Sequence, residues 1–483
     1  MDFFPKLVDV IKSAVTAAAL KKSEKKPLEN LKDGEYDYSV ASSDHFTAGY
    51  GCADMLPEGK IPGKKKYYVA GYRINNPASG VLDTPKAKAF WVDDNTGRGG
   101  VVFAAVDCVG LFAPDVNDIK SRMAEFLKNV GCRSINICAT HTHAGIDTMG
   151  MWGPLPRSGR DNEYIEIVKK AVIHAVEDAY YSRKNGRIYI GSCHADENFQ
   201  RADRPPHVFS DKVTRLRFVP DDGGRELYIV NFASHPEALE GRNSLISADF
   251  PAYTARYVNE HADADFMYFS GAIGGIRTWP LDENNVISML KTAQKFGEYV
   301  CSINEERMLE PCINILKQEF YINVDNPVFY AAAKVGIIPA KILYSGMGRL
   351  GVSMKTEMTY VSFGGENFLF LPCELFPELL LGGYLPSADS SLGLSPDVNP
   401  TPLKDIMGEE LTVFGLANDE IGYILAPNDY YLSETNPFID QPTDKFGRRH
   451  YPETNSVGPD AAHTIAGVFG KMADVIKSKC KRS

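Results

Sequence analysis

The run from residue 135 to 147, INICATHTHAGID, holds the side chains best placed to do chemistry. Ile135, Ile137 and Ala139 alternate with polar or small residues, as in a strand, and the run then delivers His141 and His143 into a loop that opens at Ala144-Gly145. Residues two apart on an extended chain point to the same side, so both imidazoles are expected to face one pocket. Two neutral imidazoles at a strand end are the start of a transition-metal site. An isolated His-x-His is more often a surface or hydrogen-bonded pair, so the company it keeps decides the reading.

Further polar groups stand at the ends of apolar strand patterns, where sheets present functional loops. His235 follows YIVNFAS and precedes Pro236, Glu374 follows FLFLPC, and Tyr423 lies in FGLANDEIGYIL. Each has an ordinary explanation in isolation: a capping histidine, a surface glutamate, a half-buried tyrosine. Glu237 and Asp249 are two further carboxylates that could serve as additional metal ligands. The preferred reading of Asp249 is a carboxylate that orients a ligand histidine. SGAIGGIR is glycine-rich but lacks the Lys-Ser/Thr end of a phosphate-binding loop, and is read as backbone brought close to the pocket.

The elements that must position these groups read as mixed α/β. FTAGYGCADM and GVLDTPKAKAFWVDD are strand-like, and VVFAAVDCVGLF is nearly continuous in apolar residues, as in a strand buried on both faces. A helix from Pro114-Asp115 to Gly131 links it to the histidine strand, a crossover unit. Helix YIEIVKKAVIHAVEDAYYS, strands RIYIGSCHADENF, VTRLRFV and ELYIVNF, helix FPAYTARYVNEH, strand DFMYFS and a helix over 285–306 follow. The later part is richer in strands, with one helical excursion at FYAAAKVGIIPAKILYSGMGRLG and a terminal helix AAHTIAGVFGKMADVIKSK. The expected fold is α/β, with a large mixed sheet core flanked by helices in a single catalytic domain over 44–483. Residues 1–43 are expected to form an amphipathic helix, with Phe4, Leu7, Val8, Ile11 and Val15 at helical spacing, and then a polar linker. The lysines at 21–26 leave room for a membrane-surface contact; docking on its own domain or on a second subunit of a homo-oligomer is favoured.

Bulk properties narrow the function classes. At 483 residues the chain can bury a large core. A formal charge of −10 argues against a nucleic-acid partner. The nine cysteines form no Cys-x-x-Cys pair, so neither a disulfide framework nor a zinc finger is indicated and a cytoplasmic, reducing setting is expected. No apolar run approaches the roughly 18 residues of a membrane span, and Asp9 and Lys12 interrupt any signal-peptide core.

Taken together, INICATHTHAG, GYR at 71–73, GVLDTPKAKAFWV, NFQRADRP at 198–205, SDKVTRLRF, NFASHPEAL, ISADF at 246–250, LPCEL and GLANDEIGYI resemble, in order, the signature segments of the neutral/alkaline non-lysosomal ceramidases. The resemblance implies one zinc ion per chain held by His141, His235, Glu374 and Tyr423, with His143 as a transition-state group and Arg201 against the substrate carbonyl or headgroup. It implies hydrolysis of an acyl amide or ester by a metal-activated water. Three departures accompany it. The family's serine segment is replaced by GGIRTWP at 274–280, a second family tyrosine falls on Thr435, and no room is left after Tyr423 for the family's C-terminal immunoglobulin-like domain. The leading expectation is therefore a zinc-dependent hydrolase of a small-molecule or lipid-like acyl substrate. A lactonase or amidase for a small polar substrate and a non-catalytic metal-containing binding protein are the alternatives.

Overall fold

The protein is seen here as a computed structural model that describes residues 28–480; the N-terminal helix expected before residue 28 lies outside the described residues. Two mixed sheets form the core. The first has nine strands, and one edge is built as the sequence suggests: Val101–Val106 lies parallel to the edge strand Ser134–Ala139, joined by the helical crossover. Glu226–Phe232 and Ala264–Ser270 form a second parallel pair at the opposite edge, joined through helix Phe250–Ala262. The second sheet has six strands and is carried by the long antiparallel pair Ile313–Asn323 and Val352–Phe363.

The sheets pack face to face on an aromatic layer. Phe46, Phe90 and Phe103 from the first meet Phe363, Phe368, Phe370 and Phe414 from the second, with Phe103 stacked on Phe370 at 5.3 Å. On Val101–Val106, residues 101, 103 and 105 enter this layer, while 102, 104 and 106 meet helix Asn162–Tyr181 through Tyr164, Val168, Val172 and Val176. A strand covered on both faces has no position for a polar side chain, which is why this run is apolar throughout. Helices Phe250–Ala262 and Asn285–Ser302 cover the far end of the first sheet, and helix Ala461–Cys480 backs the second.

Local departures from the expected elements have visible causes. The helix expected over 114–131 is two, Ala113–Arg122 and Ala124–Asn129, because Met123 takes φ −93°, ψ 0° between them. The helix expected over 285–306 stops at Ser302, since extended, buried Ile303 leads into the edge strand Glu306–Met308. The helical excursion keeps only Pro327–Lys334, capped by Asn326 through the amides of Val328 and Phe329 and ended at Gly336, where φ is +76°. Within the stretch read as a polar linker, Tyr36–Asp37 pairs with Ile315–Leu316, and Tyr36 is buried.

Candidate metal centre

The site forms where the two sheets are stitched together at their strand ends. Cys138 bridges Ala417, the Asn418 amide donates to the Ile137 carbonyl, and the Asn418 carboxamide accepts from the Ile137 amide. Just past this seam the chain turns at His141, whose φ is +68°. A histidine rarely adopts this conformation and needs its surroundings to hold it there. The His141 amide donates to the Cys108 carbonyl at 3.0 Å and its Nδ1 to the Val109 carbonyl at 2.5 Å. The two histidines of the His-x-His pair therefore do share a pocket, but through a turn. The strand alternation expected to align them ends at Ala139.

His235 arrives from the end of Glu226–Phe232 and is anchored in the same way, its Nδ1 donating to the Ile276 carbonyl at 2.7 Å. A carbonyl can only accept, so both Nδ1 atoms carry a proton, and in the neutral imidazole both Nε2 atoms present a lone pair. Those lone pairs converge on a single carboxylate oxygen: Glu374 Oε2 lies 2.9 Å from His235 Nε2 and 3.2 Å from His141 Nε2. His143 joins them, its Nε2 3.1 Å from His141 Nε2, and the ligand atoms of the three histidines all lie within 4.8 Å of one another. Lone pairs and a carboxylate gathered this closely could hold a cation between them. A divalent metal with nitrogen and oxygen preferences fits that donor set.

Without a metal, a proton fills the role. Burial opposes protonation of His235, but its hydrogen bond to Glu374 and the nearby Glu237 charge outweigh it and raise the imidazole to about 9. Burial likewise opposes ionisation of Glu374, yet His141 and His235 hold it well below the usual carboxylate range. His143 goes the other way: burial, then the charges of His141 and His235, push it well below an ordinary histidine, so it stays neutral.

Tyr423 is the cross-strand partner of Glu374 in the short parallel pair Glu374–Leu375 and Tyr423–Ile424. It is buried against Phe376 and Tyr451, and lines the same cavity as His141, His143 and Glu374. Burial, reinforced by the Glu374 charge, keeps its phenol protonated in the metal-free protein. Arg201 is placed one strand away, in Gln200–Ala202, directly opposite Arg277. It does not line the cavity; its guanidinium lies 4.7 Å from the Trp279 ring centre.

Other participants were not singled out from sequence, or were read differently. Glu237 stands against His143, its Oε2 3.3 Å from Nδ1, and accepts from the Tyr72 hydroxyl at 2.6 Å. Arg277, in the GGIRTWP stretch, donates from Nε to Asp203 at 2.6 Å and comes within 3.7 Å of Glu237. Asp249 does not orient a histidine: its carboxylate accepts from the amides of Ala238, Leu239 and Phe250 and so braces the loop that follows His235. Glu420 is buried at the cavity wall, where burial and then the Glu374 charge keep its carboxyl protonated. Among the described residues the Thr435 hydroxyl bonds only its neighbour Ser433, whereas Tyr451, distant in sequence, lines the cavity beside Tyr423. No local signal marked Tyr451, and Glu420, which follows Asn418 and Asp419, was not singled out either.

The cavity above the cluster has a volume of about 120 Å³ and is mostly apolar. Val109, Met149, Met151, Trp152, Phe329 and Ile338 form its walls. Asp147 shapes one of them by accepting from the amides of Met149, Gly150 and Trp152.

Comparison with known proteins bears on the family and the fold. Residues 46–277 match the family described as neutral/alkaline non-lysosomal ceramidase, N-terminal. The fold is similar to the crystal structure of neutral ceramidase from Pseudomonas aeruginosa, with a TM-score of 0.68 at 15% identity, covering 91% of this chain and 75% of that one. It is also similar to a ceramidase complexed with C2, with a TM-score of 0.66 at 15% identity, covering 90% and 76%. No curated protein matches the chain in sequence.

Proposed function

We propose, for a chain that belongs through its residues 46–277 to the neutral/alkaline non-lysosomal ceramidase family, that it is a zinc-dependent hydrolase of acyl amide or ester bonds. The observation that carries this reading is the convergence of the His141 and His235 Nε2 lone pairs on Glu374 Oε2. His141, His235 and Glu374 would hold one zinc ion per chain, with Tyr423 as the fourth ligand. When bound, such a metal lowers the pKa of water to about 7 and polarises an acyl carbonyl. The same donors would also accept iron or manganese.

The chain's own residues supply the rest. His143, with Nε2 turned to the cluster and Nδ1 facing Glu237, is placed to carry a proton between the reacting groups. Tyr72 and Glu237 fix the neighbourhood of that imidazole: the Tyr72 ring stands edge-on to it at 5.2 Å and its hydroxyl binds Glu237. The apolar cavity walls exclude water from the acyl side and favour a lipid-like acyl group over a small polar substrate. Eight described cysteines are free thiols, in keeping with the proposed cytoplasmic setting.

The test is hydrolysis of chain-matched acyl amides, esters and lactones by zinc-loaded and chelator-treated protein. Hydrolysis that needs the metal and favours acyl amides or esters over short lactones is expected. Hydrolysis unchanged by chelation would refute the reading, and an intact metal site without turnover across the panel would favour a binding protein.

A further inference from the structure

Arg201 and Arg277 are directly opposed in the antiparallel pair Gln200–Ala202 and Ile276–Thr278. Directly opposed residues project from the same side of the ladder, with Cβ atoms about 5 Å apart. Two like charges so placed are unfavourable unless something between them is negative. Arg277 is partly served, because its Nε donates to Asp203 and Glu237 lies 3.7 Å from that same nitrogen. Its two terminal nitrogens make no hydrogen bond among the described residues. Arg201 is less satisfied. It makes no ion pair and no side-chain hydrogen bond among the described residues, its Nε is a buried donor without a partner, and only the face of Trp279 supports it. Trp279 is itself 44% exposed, unusual for a tryptophan and typical of a ring that meets a ligand.

The pair is tied to the metal centre. Arg277 bridges His235 along the backbone, the His235 amide and Nδ1 both donate to the Ile276 carbonyl, and Glu237 joins Arg277 to His143. Neither arginine lines the apolar cavity. The histidine cluster thus has apolar walls at the cavity and a pair of unfilled guanidinium forks beyond His235.

We infer that Arg201 and Arg277 form a carboxylate-binding subsite, and that the substrate is an acyl amide whose amine portion carries a carboxylate, the N-acyl amino acid class. The inference rests on the hydrolase reading for the position of the scissile bond. A guanidinium fork matches the planar carboxylate with two parallel hydrogen bonds, a fit that a neutral alcohol headgroup cannot reproduce. The acyl chain enters the apolar cavity while the carboxylate takes up the unfilled donors. Arg201 lies in a segment that resembles the family's motifs, whereas Arg277 lies in GGIRTWP, the stretch that replaces the family's serine segment, so the pairing of the two is this chain's own.

The experiment measures binding by calorimetry and hydrolysis by product release, using zinc-loaded protein. Three probes share one decanoyl chain: N-decanoylglycine, N-decanoylethanolamine and the O-phosphate of the latter. Wild type is expected to bind the glycine conjugate about 10- to 100-fold more tightly than the neutral ethanolamide, the range of charge-assisted hydrogen bonds. Arg201→Gln, which breaks no ion pair or side-chain hydrogen bond among the described residues and gives up only the stacking on Trp279, is expected to abolish that preference, and Arg201→Lys to restore it in part. Equal binding of the neutral probe, a preference that survives Arg201→Gln, tighter binding of the phosphate, or no binding of any probe would each overturn the inference. Hydrolysis of the neutral amide without preference would sink the inference and leave the hydrolase reading standing. An Arg201-dependent preference without hydrolysis would do the reverse.

Discussion

Glu374 and His235 meet through Oε2 and Nε2 at 2.9 Å although 139 residues separate them along the chain. One stands at an end of the second sheet and the other at an end of the first, so the contact exists only when the two sheets are docked. The candidate metal centre and the sheet interface are therefore parts of one structure, and loading the site is expected to stabilise the whole fold.

That coupling has a pH signature. In metal-free protein the His235 pKa is raised to about 9 from an ordinary 6.5, because Glu374 and Glu237 outweigh the opposing burial. A raised histidine contributes stability that is complete below about pH 6.5 and is lost as pH rises through about 9. The apo-protein should lose stability across that window, whereas a metal in the proton's place removes the dependence. Denaturant unfolding at a series of pH values, with and without zinc, checks this; parallel curves would count against it.

Gly71 explains why the GYR segment accompanies the histidine pair. Its φ is +105°, and a Cβ there would lie 2.5 Å from the Cβ and Cγ of His143. Gly71→Ala should cost about 1–2 kcal/mol for the left-handed backbone alone and displace His143. Since His141, His235 and Glu374 are untouched, activity should fall at least about tenfold with metal content retained. Unaltered turnover would mean that His143 has no part in the reaction.

Much of this site was legible in the sequence because each chemical group follows an apolar strand. The runs before His141, His235 and Glu374 are strands whose apolar residues are demanded by two-sided burial, and a polar residue at their ends stands out. The two-sheet arrangement was not legible, since face-to-face packing depends on which phenylalanines meet across the chain, as Phe103 and Phe370 do. Nor was the turn at His141, which is fixed by the carbonyls of Cys108 and Val109. Tyr451 escaped for the same reason, and Glu237, noted in the sequence only as a further carboxylate, is seen beside His143 only through tertiary contacts.

Ala332 lines the apolar cavity from helix Pro327–Lys334 and lies apart from the metal donors. Ala332→Phe should fill much of a space of only about 120 Å³. Hydrolysis of long-chain acyl substrates should drop by about tenfold or more while metal content and short-chain hydrolysis persist, because a steric block acts on the acyl chain alone. Loss of short and long substrates in equal measure would place the acyl chain elsewhere.

Lys120, Glu357 and Lys317 join helix Ala113–Arg122 to the second sheet, with Glu357 2.9 Å from Lys120 and 2.5 Å from Lys317. Burial opposes the charge on Glu357, but the two ammonium groups outweigh it and hold the carboxyl below its usual range. Lys120 shares that carboxylate, and burial lowers its own pKa. Glu357→Gln should cost about 3 kcal/mol at neutral pH, since it leaves Lys120 buried without a counter-charge. A depressed carboxylate stabilises above its unfolded pKa of 4.5, so the difference between wild type and variant should shrink as pH falls below that value. Chemical unfolding at pH 7 and below 4 would show it; a constant difference would argue that packing, and not charge, sets the cost.

The most direct test of the central claim is elemental analysis of wild type, His141→Ala and Glu374→Gln purified side by side and reconstituted with zinc. The account calls for one zinc per wild-type chain and much less than one in each variant, because each removes a donor from the point where the lone pairs of His141 and His235 meet. Wild type that holds no metal after reconstitution, or variants that hold as much as wild type, would contradict it.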